Sequence, residues 1–170
     1  MKEKYPYDSH FKKPIGVGNL NFENPALRPL LDAYTRAIEK RTALYEPPRM
    51  VNKRRIFVPS AAGGIPCYLL EPSNDHHLLP GLLYLHGGGF LVPILHSRLA
   101  NAMYYAMTLG CRVIMPEYRL AWEHPFPCAF EDCTAVYEWL LRNTGYLSID
   151  ENKLLIMGDS AGGCLAAGVT

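Results

Sequence analysis

The sequence predicts an α/β fold, with a mostly parallel sheet covered by helices on both faces. Three observations carry this. Short apolar runs at 81–86 (GLLYLH), 111–116 (CRVIMP) and 153–158 (KLLIMG) have the continuous hydrophobicity of strands buried on both sides. Stretches of helical periodicity stand between them, so strand and helix alternate along the chain. The informative segments 86–90, 116–127 and 158–163 each follow one of those runs. Right-handed crossovers would gather them at the carboxyl edge of the sheet, where sites in such folds form.

The elements follow in order. Residues 1–24 are polar and irregular. From Asn24 to Tyr45, Leu27, Leu30, Leu31, Tyr34, Ala37, Ile38 and Leu44 keep helical spacing, predicting an amphipathic helix that Pro47-Pro48 ends. It reads equally as a packed surface helix or as part of a lid over a pocket. VNKRRIFVPS and IPCYLLEP, joined by AAGG, predict a β-hairpin. After the run at 81–86, Ser97 opens a helix with Leu99, Met103 and Ala106 on one face, closed by Gly110. After 111–116, Pro127 starts a helix carrying Phe130, Cys133, Val136, Tyr137 and Leu140, which ends near Gly145. AGGCLAAGVT reads as the first turns of one more helix.

Composition bounds the function. At 170 residues, 49% hydrophobic and 19% charged, the chain has globular composition and the length of one ordinary domain. Net charge is +1, and the short cluster Lys53-Arg54-Arg55 reads as a solvated strand edge, so no nucleic-acid partner is expected. MKEKYPYDSHFKKP lacks the apolar core of a secretory signal, and no run reaches the roughly 18 apolar residues of a membrane span. Five cysteines without an export signal are expected as reduced thiols in a cytoplasmic protein. None forms a Cys-x-x-Cys pair, and the spacing of Cys128 and Cys133 favours core positions over metal ligation. Neither a metal nor a cofactor is expected.

Gly158-Asp159-Ser160-Ala161-Gly162 fits Gly-x-Ser-x-Gly, directly after a buried strand and before a helical stretch. A serine on so tight a strand-to-helix turn sits in strained backbone, where side chains two residues to either side would collide. Gly158 and Gly162 remove those collisions. The turn lifts the hydroxyl clear of the sheet and aims the amino end of the next helix, with its partial positive charge, at the same spot. The plainer alternative is a glycine-rich turn that serves packing or holds a phosphate. It lacks the lysine of a Walker loop and the Gly-x-Gly-x-x-Gly of a dinucleotide loop.

His86-Gly87-Gly88-Gly89-Phe90 follows the first buried run. Three successive glycines suit a loop whose backbone must closely approach something. Acyl transfer builds negative charge on a carbonyl oxygen, and preorganised N–H donors stabilise it; losing one typically costs about 3 kcal/mol of barrier. The N–H of Ala161 would add a donor. The two loops thus supply an attacking hydroxyl and an oxyanion hole.

Together, HGGGF, EYRLAWEHPFP and GDSAGG, in this order, resemble the hormone-sensitive-lipase-like family of α/β-hydrolases, whose members include bacterial carboxylesterases and arylacetamide deacetylase-like enzymes. The resemblance covers about residues 50–170. It implies an α/β-hydrolase fold that stops after the nucleophile elbow, with 1–48 an amino-terminal helical cap segment and 49–170 the amino-terminal part of the catalytic domain. It implies Ser160 as nucleophile, an oxyanion hole from Gly88, Gly89 and Ala161 with Gly87 shaping the loop, and turn support from Gly158, Asp159 and Gly162. His86 would fix the glycine loop rather than move protons, and His124 would also be structural. The implied substrate is a small-molecule carboxylic ester, cleaved through an acyl-serine. Where the family usually has proline, this chain has Trp122, which would reshape that loop and the nearby substrate wall.

A serine needs a base to take its proton and a carboxylate to orient that base. In α/β-hydrolases these follow in the order Ser, then Asp or Glu, then His. Only AGGCLAAGVT follows Ser160, without an acid or a histidine. The chain is therefore expected to be the amino-terminal part of a longer enzyme, inactive by itself, with KLLIMG left as an exposed edge. Two further readings stand beside this one: a non-catalytic ligand-binding member of the same fold, and a non-functional gene remnant.

Overall fold

The computed structural model describes residues 24–73 and 77–170. The polar segment 1–23, His10 and His76 lie outside the described residues. The described residues form α1 (Arg28–Ala43), β1 (Val51–Ser60), β2 (Gly63–Pro72), β3 (Leu79–Leu85), α2 (His96–Leu109), β4 (Arg112–Pro116), α3 (Cys128–Arg142), β5 (Ile149–Gly158) and α4 (Ala161–Val169), with strand and helix alternating from β3 onward as expected. The sheet runs β1-β2-β4-β3-β5. β3 pairs in parallel with β4 and with β5, while β2 pairs antiparallel with β1 and β4.

Alternation along the strands sends side chains to two separate cores. Cys67, Leu69, Leu83, Leu85 and Ile114 pack with Cys133, Val136 and Leu140 of α3 and Leu165 of α4. Tyr68, Leu70, Leu82, Tyr84, Val113 and Met115 pack with Leu99, Ala102, Met103 and Ala106 of α2. The sheet is thus covered on both faces, and the burial of β3 and β4 explains their unbroken apolar runs.

Several boundaries differ from expectation for local reasons. The hairpin reverses at Ala61-Ala62, and Gly63, with φ +117°, already opens β2. α2 begins at His96, one residue before the expected Ser97, and closes as expected on Gly110, whose left-handed φ of 57° and ψ of 47° lets its N–H reach Ala106 O. α3 stops at Arg142, and Leu147 and Ser148 form a hydrogen-bonded turn before β5. α1 begins after a turn at Asn24, whose side-chain oxygen accepts the Ala26 N–H at 3.0 Å. Of α1 only Thr42 is buried; Leu30, Tyr34 and Leu44 are exposed. Its carboxyl end rests on the segment that leads into α2, through Thr42 Oγ1 donating to Ile94 O at 2.8 Å, and Tyr45, just beyond α1, stands against the ring of His96 at the start of α2.

β5 is longer than its apolar core and is not a buried strand. Among the described residues it occupies an edge of the sheet and pairs with β3 alone, and Leu155 is 65% exposed. The opposite edge, β1, carries the basic cluster. There Arg54 pairs with Glu71, Arg55 with Glu117, and Lys53 Nζ donates to the carbonyls of Ala43 and Tyr45. Among the described residues no helix is long and apolar enough to cross a membrane.

Candidate active site

The parallel strands β3 and β5 lie side by side, so the loop after Leu85 and the turn after Gly158 leave the sheet at neighbouring points. Leu85 is in register with Gly158. Ser160 has φ 52° and ψ −120°, a conformation that strains any residue with a side chain, and it is exposed. The helix closes behind it, with Gly162 N–H donating to Asp159 O at 2.9 Å and the Gly163 and Cys164 N–H groups to Ser160 O.

The two flanking glycines are required by close backbone approach. A Cβ at Gly158 would lie 2.1 Å from Gly162 O, and one at Gly162 would lie 1.9 Å from Leu85 O. The strand end, the turn and the first turn of α4 therefore interlock through backbone atoms.

The glycine loop is also held in a conformation that needs its residues. Gly88 and Gly89 have φ of 143° and 62°, and Phe90 follows at 63°. The carbonyl of Gly88 accepts the N–H groups of Leu91 and Val92, and Phe90 O accepts the Ala121 N–H at 2.8 Å. The latter bond ties the loop to the 117–127 segment. Gly87 donates its N–H to Asp159 Oδ1 at 3.2 Å, so it is not free as an oxyanion donor and shapes the loop instead. Among the described residues the N–H groups of Gly88, Gly89 and Ala161 have no partner.

His86 is buried behind the loop. Its ring stacks on Tyr118 with centroids 4.2 Å apart and planes 8° from parallel. Its Nδ1 donates to Gly87 O at 2.9 Å, and the Tyr118 hydroxyl donates to His86 O at 2.7 Å. Burial pushes the imidazole down to about 4, the hydrogen bond to Gly87 opposing, so the ring is neutral near pH 7. His124 is exposed on the segment after Leu120. Trp122 packs against the core under α3, its buried Nε1–H without a partner among the described residues.

Three features were not legible in the sequence. Asp132 is buried in α3 and grips Arg119, accepting from its backbone N–H and its guanidinium at 2.7–3.0 Å, which fixes the segment behind the glycine loop. Tyr84 and Arg98 both reach Asp159, at 2.9 and 3.0 Å. An apolar cavity of about 300 Å³ adjoins the loop, lined by Phe90, His124, Phe126, Phe130, Cys164 and Leu165 among others. Cys164 lies one helical turn beyond Ser160.

This geometry coincides with a family match over residues 82–170, to the alpha/beta hydrolase fold. The chain belongs to the alpha/beta hydrolase fold family. An ethyl acetate hydrolase from Pseudomonas putida is 40% identical over 104 residues, covering 60% of this chain and 33% of its own length. A hyperthermophilic esterase from the archaeon Pyrobaculum calidifontis has a similar structure, with a TM-score of 0.68 and 33% identity over 85% of this chain and 50% of its own. A bacterial heroin esterase superposes with a TM-score of 0.73 and 31% identity, over 87% of this chain and 46% of its own. This alpha/beta hydrolase thus spans from about a third to half the length of these relatives.

Proposed function

We propose that the whole protein hydrolyses carboxylic esters of small or medium acyl chains through an acyl-serine at Ser160. One observation carries this reading: a strained, exposed serine stands at the amino end of α4, on a turn bonded to the glycine loop through Gly87 and Asp159, and the amides of Gly88, Gly89 and Ala161 have no partner among the described residues. Ser160 Oγ gives its proton to a general base as it attacks the ester carbonyl and forms the acyl–oxygen bond. The carbonyl oxygen becomes an oxyanion, which the N–H groups of Gly88, Gly89 and Ala161 stabilise. The carbonyl re-forms as the bond to the alcohol oxygen breaks and the alcohol takes up that proton, and water then cleaves the acyl–serine bond to release the acid and restore the hydroxyl. The apolar cavity beside Phe90 suits a hydrocarbon portion of the substrate. Residues 1–48 act as a cap segment and 49–170 as part of the catalytic domain.

His86 cannot take the serine proton, being buried against Tyr118 and bonded to Gly87. Without a base to take its proton a serine hydroxyl is a weak nucleophile, so the 170 residues by themselves turn over esters negligibly.

The test is p-nitrophenyl acetate hydrolysis by the protein extended through the downstream reading frame, with fluorophosphonate labelling of the same sample. Ser160→Ala is expected to lower kcat by about 10⁴-fold or more and to abolish labelling. Retained turnover in Ser160→Ala would refute the assignment. An extended protein that neither labels nor turns over would favour a binding role for the pocket.

A further inference from the structure

The carboxylate of Asp159 is the meeting point of β3, the glycine loop and α2. Its Oδ1 accepts the Tyr84 hydroxyl from β3 at 2.9 Å and the Gly87 N–H from the glycine loop at 3.2 Å. Its Oδ2 faces Arg98 Nη2 of α2 at 3.0 Å. Its own backbone N–H points to Leu85 O at 3.4 Å. The carboxylate fills the space in which Gly87 has no side chain, since a Cβ there would lie 2.6 Å from both Asp159 O and Oδ2.

Arg98 is out of place by helix electrostatics alone. It stands in the first turn of α2, which has no acidic residue, and a cation there opposes the helix dipole. The contact with Asp159 accounts for its position. Both side chains are partly exposed, 37% and 29%, so the pair adds little to stability as a surface ion pair. Its effect is geometric: the guanidinium stands against Oδ2 as an ion pair, without an aligned hydrogen bond to it among the described residues, while Oδ1 is turned toward Gly87. Burial, followed by the hydrogen bond to Asp159, pushes the Tyr84 phenol up, so Tyr84 stays a donor across the working pH range.

We propose that Arg98 and Tyr84 are positioning residues for the oxyanion hole, locking the Asp159 carboxylate so that the glycine loop is held in register with the serine turn. Neither residue touches the reacting atoms. The inference rests on the ester-hydrolase reading for its kinetic consequence but not for its structural one.

The experiment compares wild type, Arg98→Met, Arg98→Lys, Tyr84→Phe and Ser160→Ala in the protein extended through the downstream reading frame. Two quantities are read: kcat and KM on p-nitrophenyl acetate, and amide hydrogen exchange of the peptide spanning 86–92. Arg98→Met is expected to lower kcat about tenfold with KM within about twofold, as misplaced donors weaken only the transition state. Exchange at 86–92 should accelerate while peptides from β4 and α3 keep wild-type protection. Arg98→Lys should restore most of kcat, and Tyr84→Phe should repeat the Arg98→Met pattern in milder form. Wild-type kcat in both Arg98→Met and Tyr84→Phe, or lost activity with unaltered exchange at 86–92, would overturn the proposal. If Ser160→Ala retains turnover, the ester-hydrolase reading fails and the exchange arm alone decides the clamp. Should Arg98→Met fail to fold, Tyr84→Phe, which removes one hydroxyl, provides both readouts.

Discussion

Between pH 7 and 4 the His86 ring should control part of the stability. Its folded value is depressed to about 4 from an ordinary 6.5, by burial. In that window the unfolded chain binds a proton that the folded protein refuses. The stabilisation is therefore complete above about pH 6.5 and erodes as pH falls toward 4, by about 3 kcal/mol at most. His86→Phe keeps an aromatic ring against Tyr118 but cannot titrate. Urea midpoints measured at both ends of the window should fall further for wild type than for His86→Phe. Equal falls would show that the ring is solvated rather than sealed. The expectation that His86 serves the loop came from the family resemblance. What the structure adds is the cause: the ring stacks on the Tyr118 phenol, its Nδ1 is bonded to the Gly87 carbonyl, and the Tyr118 hydroxyl holds the carbonyl of His86 itself.

At the scale of the strand–turn–helix unit, the glycines are not equivalent, although the sequence shows them as one motif. Gly162→Ala would set a methyl 1.9 Å from Leu85 O and force β3 away from α4. A loss of about 3 kcal/mol is expected, visible as a lowered denaturant midpoint. At Gly163 the nearest atom to an added methyl is Gly158 O at 3.3 Å, so the gain in helix propensity, up to about 1 kcal/mol, offsets the contact and stability should barely move. Comparable losses in both variants would contradict this interlock. The glycines and the serine were legible because steric necessity restricts which residues can stand there. Tyr84, Arg98 and Asp132 were not, because each satisfies its own element's pattern: Tyr84 an apolar strand, Arg98 a helix surface, Asp132 a helix next to Cys133. Their partners are 75, 61 and 13 residues away in the chain, and no local period encodes them. For α1 the periodicity gave the helix but not its environment, since its apolar positions Leu30 and Tyr34 meet solvent.

On the scale of the whole molecule, the two edges of the sheet contrast. β1 presents Lys53, Arg54 and Arg55, each engaged with a carboxylate or a carbonyl, together with Pro59, and such an edge resists further strand pairing. β5 carries its charges at the start, Asp150, Glu151 and Lys153, and then runs through Leu154, Leu155, Ile156 and Met157 without one. Beside that run an apolar groove includes Pro80, Leu82, Tyr105, Leu109 and Met157, with Leu109 also exposed. Unpaired N–H and C=O groups next to exposed leucines favour pairing with a second β5. The 170-residue chain is therefore expected to self-associate at micromolar concentration, as read by light scattering. Leu155→Lys should suppress this, because pairing would then confine a charge between two apolar edges. Placing the same charge at Phe57 of β1, equally exposed at 66%, should not. Because the Phe57 variant adds the same net charge, a decrease confined to Leu155→Lys isolates the β5 edge from general charge repulsion. A wild-type chain that stays monomeric would mean that the groove and the edge are masked by the chain itself.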